Sequence, residues 1–192
     1  MRRSRGTSRT RRVIALLVLV AILVLLYATS RPTAPPPPQA TVVAGNPAAP
    51  ANPAMGKRTK TKGCVTQGAL PDPACTPGDV LTTDVQAVCT PGYSGKVRAV
   101  SSSTKAAVYA EYGITSHPTG AYEVDHQISL ELGGSNSIAN LWPEAAEPRP
   151  GFHEKDKVEN FLHQQVCNGV MTLPAAQATI ATNWLAVYQT LP

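Results

Sequence analysis

The sequence predicts an α+β domain, in which a small β-hairpin is embedded among helices and cross-linked by disulfides, behind an N-terminal transmembrane helix. Three observations support this fold class. An unbroken apolar run follows a cluster of arginines near the N-terminus. Two short apolar runs flank a turn at Gly133 and Gly134, which is typical of a hairpin. Two longer stretches nearer the C-terminus repeat apolar side chains at the spacing of amphipathic helices.

The N-terminal segment determines the predicted topology. Residues 1–12 carry six arginines, so we expect them to stay in the cytoplasm while the chain after the apolar run is exported. That run is short for a spanning helix, which needs about 17–25 residues, and long for the ~7–15-residue core of a signal peptide. We therefore expect residues 13–29 to form an uncleaved, single-pass membrane anchor. The alternative is secretion after cleavage near Ser30.

Residues 30–62 have the composition of a disordered tether. They contain a proline run and are dominated by Ala, Pro and Gly, which cannot bury enough apolar surface to form a folded unit. Four basic side chains end the segment, those of Lys57, Arg58, Lys60 and Lys62. We expect a solvated linker, with a surface that faces nucleic acid as the minority interpretation.

The positive net charge of the whole chain, +5, belongs to its N-terminal part. Eleven of the seventeen Lys and Arg residues lie in residues 1–62, so residues 63–192 carry six basic and twelve acidic side chains. This predicted domain therefore has a formal charge near −6, which argues against tight, nonspecific binding to duplex DNA. A metal ion could supply positive charge at a site within it.

All four cysteines follow the predicted anchor: Cys64, Cys75, Cys89 and Cys167. An even number in an exported domain predicts two disulfides, for which three connectivities are possible. The spacings of 10, 13 and 77 intervening residues lack the C-x2-C knuckle of a structural zinc site. Among the connectivities we favour Cys64–Cys75 with Cys89–Cys167.

Residues 63–192 are long enough for one domain with its own core. The part from 63 to 95 is rich in Pro and Gly and predicts turns. After it, the predicted elements are a helix over 103–112 capped by Ser103 or Thr104, a strand over 122–128, and helices over 154–168 and 172–188. We expect Trp142 to lie in the core, and Lys155 and Lys157 to form an exposed face of the 154–168 helix, with a phosphate clamp at the helix N-terminus as the alternative.

One stretch of this domain concentrates polar side chains that can perform chemistry. Asp125 and His126 end a short apolar run, a Gly-Gly turn follows, and Asn140 opens a second run that reads Asn-Leu-Trp-Pro-Glu. A charged helical segment then begins at His153. This order resembles the HNH endonuclease motif, a ββα-metal-like hairpin and helix around one metal ion. It is similar to the pattern of an exported, uncharacterised bacterial subgroup, and that likeness covers most of residues 64–188.

The resemblance implies a role for each residue of the motif. His126 would act as the general base that takes a proton from water, and Asn140 would hold the hairpin loop and the base in place. Asp125 would be a ligand of a divalent metal ion. Oxygen ligands with an imidazole suit Mg, Mn or Zn without choosing among them.

A further metal ligand is expected on the helix that follows Asn140. His153, at the start of that helix, is the first choice. Asp156, Glu159, Asn160 and His163 are the alternatives. A Pro-rich insertion at 145–151 lengthens the approach to this helix relative to the common pattern.

The implied function is that of a membrane-tethered nuclease, which hydrolyses phosphodiester bonds of DNA or RNA outside the cytoplasm of a bacterial cell. Nucleic acid would be its substrate, and the membrane would be contacted through the N-terminal helix. Two alternatives stay open. One is a non-catalytic module that binds the cell envelope on the same fold, and the other is a hydrolase of a phosphodiester that is not a nucleic acid.

Overall fold

The structure is a computed structural model that describes residues 55–191. It is an α+β domain with a two-stranded antiparallel hairpin, as predicted. The elements in chain order are α1 (Val85–Val88), α2 (Tyr93–Val97), α3 (Ser102–Glu111), β1 (Tyr122–His126), β2 (Leu141–Ala145), α4 (Phe152–Cys167) and α5 (Leu173–Tyr188). The predicted anchor at 13–29 lies outside the described residues, and no helix within 55–191 is long and apolar enough to cross a membrane.

The last residues of the predicted tether, 55–62, pack against the domain. The Arg58 guanidinium donates a hydrogen bond of 2.7 Å to the Cys75 carbonyl and forms an ion pair with Glu111. Lys60 pairs with a carboxylate oxygen of Asp72 at 2.9 Å. Two of the four basic side chains that end the segment are therefore neutralised within the domain, so they do not form a free basic surface.

The first part of the domain is more regular than its Pro and Gly content predicts. Helices α1 and α2 interrupt the turns, and α1 begins where the Asp84 side chain accepts a hydrogen bond from the Gln86 amide. Helix α3 begins at Ser102, since Ser101 and not Ser103 or Thr104 caps it by accepting from the Thr104 amide at 3.1 Å. The sequence predicts neither the Asp84 cap nor the Ser101 cap, because neighbouring short polar side chains can cap the same helix terminus.

Strand β1 ends at His126, two residues earlier than predicted. It pairs antiparallel with β2, with Tyr122 opposite Ala145 and His126 opposite Leu141. Beyond His126 the ladder stops because the backbone groups of Ile128 bond to the Asn140 side chain instead of to a strand. Trp142, in the middle of β2, is 1% exposed, so the prediction that it lies in the core is confirmed.

Helices α4 and α5 form the main apolar core. Val158, Leu162 and Val166 of α4 pack with Ile180 and Trp184 of α5, and each of the five is at most 2% exposed. Helix α4 begins two residues before the prediction, where the Gly151 amide donates to the Glu154 carboxylate at 3.1 Å. A side chain at Gly151 would place its Cβ 2.2 Å from the Ala145 carbonyl oxygen, so only glycine fits this approach to β2.

Both predicted disulfides are present. Cys64 is bonded to Cys75, and Cys89, just after α1, is bonded to Cys167 at the end of α4. The second bond joins residues separated by 78 positions and holds the front of the domain against its late helices.

Candidate functional site

The Asn140 side chain fixes the loop between the two strands. Its Oδ1 accepts hydrogen bonds from the Ile128 amide at 2.8 Å and the Asp79 amide at 3.2 Å. Its Nδ2 donates to the carbonyl oxygens of Ile128 at 2.9 Å and Ser135 at 2.8 Å. Asn140 is fully buried, and these four bonds use both donors and both lone pairs of its amide. It therefore cross-links the residues after His126 to the start of β2.

The Gly-Gly turn allows this loop to close. Gly133 has φ +76°, a left-handed conformation that L side chains rarely adopt. A Cβ on Gly134 would lie 1.8 Å from the Ile128 carbonyl oxygen and 2.9 Å from Asn140 Nδ2. The Gly-Gly pair and Asn140 thus belong to one structural unit.

His126 lies at the end of β1 as a neutral imidazole. Its Nε2 is 3.2 Å from Asn136 Oδ1, which also accepts from the Ala99 amide, while Asn136 Nδ2 donates to the Val97 carbonyl. These bonds identify the Asn136 oxygen as an acceptor, so His126 Nε2 carries the proton, and Nδ1 accepts no hydrogen bond from residues 55–191. Burial lowers the pKa of His126, helped by the Arg98 and Lys155 charges, and outweighs the opposing effects of the Asp125 carboxylate and the Asn136 hydrogen bond. The ring is therefore an unprotonated base near pH 7.

The Lys155 ammonium stands at the centre of the buried polar groups. Its Nζ donates to Asp125 Oδ2 at 2.6 Å, to the His126 carbonyl oxygen at 2.8 Å and to Glu159 Oε1. Glu144 Oε2 lies 3.9 Å away. The Lys155 side chain has no exposed surface, and its three protons are all used. It joins β1, β2 and α4 through one charge.

Glu144 is a buried carboxyl group without a conventional partner. Neither of its oxygen atoms accepts a hydrogen bond from a described residue, and the side chain is 1% exposed. Burial raises its pKa well above the ordinary value, and the neighbouring Asp125 carboxylate raises it further. Both facts are explained if Glu144 is protonated and donates its proton to Asp125, because a neutral carboxyl group is a donor.

The other members of the cluster respond to the same charge. Burial opposes ionisation of Asp125, but the Lys155 charge together with hydrogen bonds from Glu144, Lys155 and the His126 backbone lowers the Asp125 pKa. Burial raises the pKa of Glu159 to about 7, although Lys155 and a 2.9 Å hydrogen bond from Ser129 oppose this shift. Burial also disfavours the charged form of Lys155, yet Asp125 and Glu159 hold its pKa well above the ordinary value.

Exposed charges surround the outer side of this cluster. Arg98 is exposed, forms no ion pair within residues 55–191, and lies close enough to lower the pKa of His126. Partial burial and the Asp125 charge raise the pKa of Asp156, whose side chain faces solvent. Glu123 is affected in the same way. The surface beside His126 thus combines one free guanidinium with carboxylates.

Of the five helix residues predicted as metal ligands, Glu159 alone bonds into the cluster around Asp125, and Asp156 faces solvent. Glu159 reaches the cluster but binds the Lys155 ammonium. His153 is exposed in the first turn of α4 and packs on Phe152, with the two rings 4.2 Å apart. Asn160 is exposed and donates to the Asp156 carbonyl at 2.7 Å. His163 lies at the other end of α4, where its Nε2 is 3.0 Å from the Val88 carbonyl oxygen.

The one group of three potential metal ligands found among residues 55–191 lies elsewhere. The ligand atoms of Cys89, His163 and Cys167 are within 4.8 Å of one another and could hold a metal ion. In the structure, however, the two cysteines form a disulfide. Metals bind the thiolate form, so this group becomes a ligand set only after reduction.

Three members of the site were missed in the sequence: Glu144, Asn136 and Lys155. Lys155 was expected to be exposed, and it has no exposed surface. The signal was present, because Lys155 precedes Val158 by three residues and Leu162 by seven, which places it on the buried face of α4. Glu144 ends the Asn-Leu-Trp-Pro-Glu run of the motif, but the motif gives it no role. Asn136 has no sequence signal that we can name, since its position depends on how the loop folds.

Comparisons with protein-family models, with curated proteins and with solved structures found no match for this chain.

Proposed function

We propose that this protein is a membrane-tethered, extracytoplasmic hydrolase of phosphodiester bonds in DNA or RNA, built on an HNH-like hairpin and helix. The observation that supports it most directly is the cross-linking of the loop by Asn140, which fixes His126 at the end of β1 beside helix α4. This is the role that the resemblance assigns to the asparagine of the motif. The two disulfides are consistent with an oxidising compartment.

The chemistry assigned to the site begins at His126 Nδ1. As a neutral imidazole whose Nδ1 accepts no hydrogen bond within residues 55–191, it can take a proton from a water molecule that attacks the phosphorus atom. The P–O bond to the leaving oxygen breaks as the new bond forms, and the leaving oxygen takes a proton from solvent. Asn136 keeps the ring in this tautomer by accepting from Nε2. Arg98, exposed and unpaired within the described residues, can contribute positive charge toward a phosphate oxygen.

A divalent metal ion held by Asp125 is part of the family expectation, and the residues present do not fit it. Asp125 Oδ2 bonds to the Lys155 ammonium, Glu159 bonds to the same ammonium, and His153 points to solvent. No third ligand from residues 55–191 completes a site at Asp125. No step of the proposed chemistry is therefore routed through a metal ion.

A second substrate class is favoured by the charge of the domain. Residues 63–192 have a formal charge near −6, and the exposed carboxylates of Glu123 and Asp156 lie close to the exposed guanidinium of Arg98. Such a surface repels a long polyanion but tolerates one isolated phosphodiester. A lipid with an isolated phosphodiester link is therefore the alternative substrate.

The test is a hydrolysis assay on the full chain, purified in mild detergent with its disulfides formed. Plasmid DNA, single-stranded DNA, RNA and bis(p-nitrophenyl) phosphate are offered with Mg, Mn or Zn and with a chelator. We expect turnover of at least one substrate, and a loss of about 10²–10⁴-fold in His126→Ala, because the general base is removed.

The matched control is His117→Ala, since His117 is an exposed histidine in the loop before β1. It should retain full turnover, and thermal unfolding should show that both variants fold. If the wild type and His126→Ala are equally inert on every substrate, yet both bind a cell-envelope fraction, the non-catalytic binding module is the better assignment.

A further inference from the structure

We infer that the Lys155 ammonium is the resident cation of this site and occupies the place where the family motif predicts a divalent metal ion. The inference rests on the proposed function only in taking the cluster to be the hydrolytic site. The positive charge held by the cluster can be identified by measuring ion binding, which requires no enzymatic activity.

Three acceptor atoms surround Lys155 Nζ. They are Asp125 Oδ2 at 2.6 Å, the His126 carbonyl oxygen at 2.8 Å and Glu159 Oε1. All three are oxygen atoms, the ligand type that Mg²⁺ and Mn²⁺ prefer. Two of the three belong to residues that the motif predicts as metal ligands, and in this chain both are directed at an ammonium.

The ammonium and its two carboxylate partners are buried. Lys155 has no exposed surface, and the Asp125 and Glu159 side chains are each 14% exposed. Removing a lysine charge from water is costly unless ion pairs and hydrogen bonds compensate it. Here each of its three protons has an oxygen acceptor, so the charge of the ammonium is compensated by the groups around it.

The remaining predicted ligands do not complete a metal site at Asp125. A metal ion needs several ligand atoms within a few ångströms of one another, and residues 55–191 place no such trio at Asp125. His153 and Asn160 are exposed, and His163 is bonded near the Cys89–Cys167 disulfide. The helix thus supplies Lys155 in place of a ligand.

The experiment compares divalent-ion binding by the full-length wild type with three variants, after treatment with chelator and dialysis. Mn²⁺ is the probe, followed by its electron paramagnetic resonance signal and by the melting temperature. In Lys155→Ala the three oxygens face vacated space, so Mn²⁺ should bind there. The melting temperature should rise by roughly 5 °C or more at a hundredfold excess over the Kd.

The wild type should bind no Mn²⁺ at Asp125, so Asp125→Asn should bind as much Mn²⁺ as the wild type. Mn²⁺ should also cause no comparable rise in the melting temperature of the wild type. Lys155→Met is the matched control, because its side chain fills the same space without charge and should be destabilised without gaining Mn²⁺. Lys157→Ala should behave as the wild type, because Lys157 is a 60%-exposed lysine of the same helix.

One bound Mn²⁺ per wild-type chain, lost in Asp125→Asn, overturns the inference. If Lys155→Ala folds only when Mn²⁺ is present, the inference is supported, and if it does not fold at all, the wild-type measurement decides alone. Failure of the proposed function would appear separately, as the absence of turnover in the hydrolysis assay.

Discussion

Helix α4 buries charged side chains only in its first half, and the buried side chains of its second half are all apolar. In the first half, the Lys155 ammonium meets Asp125 and Glu144 of the hairpin as well as Glu159 of its own helix. In the second half, Leu162 and Val166 pack against α5, and Cys167 is covalently bonded to Cys89. Apolar burial stabilises a fold without demanding exact positions, whereas a buried charge cluster gives little net stability and requires fixed geometry. The first half is therefore where function is to be sought.

The largest expected effect on stability comes from the disulfide in the second half of α4. Replacing Cys89 and Cys167 by alanine should lower the free energy of unfolding by about 4.5 kcal/mol, because the bond closes a loop with a sequence separation of 78. Removing Cys64–Cys75, with a separation of 11, should cost less, about 3 kcal/mol. Urea denaturation of both double variants measures the difference, and equal losses would contradict the loop-length argument.

The next effect concerns the first half. Lys155→Met should destabilise the domain by roughly 3–5 kcal/mol, because it leaves Asp125 and Glu159 buried without their cation. Lys157→Met, on the exposed face of the same helix, should change the stability by less than about 0.5 kcal/mol. Urea denaturation near pH 7 gives both values. Similar small losses in the two variants would show that the cluster tolerates removal of its charge.

The loop of the hairpin depends on a single amide. Asn140→Ala should lower the free energy of unfolding by about 2–3 kcal/mol, because the backbone groups of Ile128, Ser135 and Asp79 lose their partner. Asn160→Ala is the matched control, since Asn160 is exposed and bonds only within its own helix. A loss in Asn140→Ala no larger than in this control would mean that the loop holds its shape without the amide.

The sequence predicted those parts of the fold that follow from local patterns. Helices α4 and α5, the hairpin, the core position of Trp142 and both disulfides were foreseen from periodicity, turn residues and cysteine spacing. Caps such as Ser101 were misplaced by a few residues, because neighbouring Ser and Thr side chains compete for the same backbone amides.

The candidate site was predicted less completely than the fold. Asp125, His126 and Asn140 were identified because they belong to a short motif. The partners that determine their state, Lys155 from α4 and Glu144 from β2, come together only through tertiary packing. Charged residues on a helix are usually solvated, so an average preference favoured exposure for Lys155, and the apolar spacing around it was the contrary signal.

The smallest effect is the dependence of stability on pH, and it separates the two halves of α4 again. Burial raises the pKa of Glu159 from 4.5 to about 7 in the folded state. Between these values the folded protein holds a proton that the unfolded chain has released, so this group lowers the stability as the pH rises from about 4.5 to about 7. The slope cannot exceed about 1.4 kcal/mol per pH unit for one proton.

In Glu159→Gln the slope from this group should vanish, whereas Leu162→Ala should lower the stability by a similar amount at every pH. Urea denaturation at several pH values measures both variants, and an unchanged slope in Glu159→Gln would assign the titration to another group, with Glu144 as the first to examine.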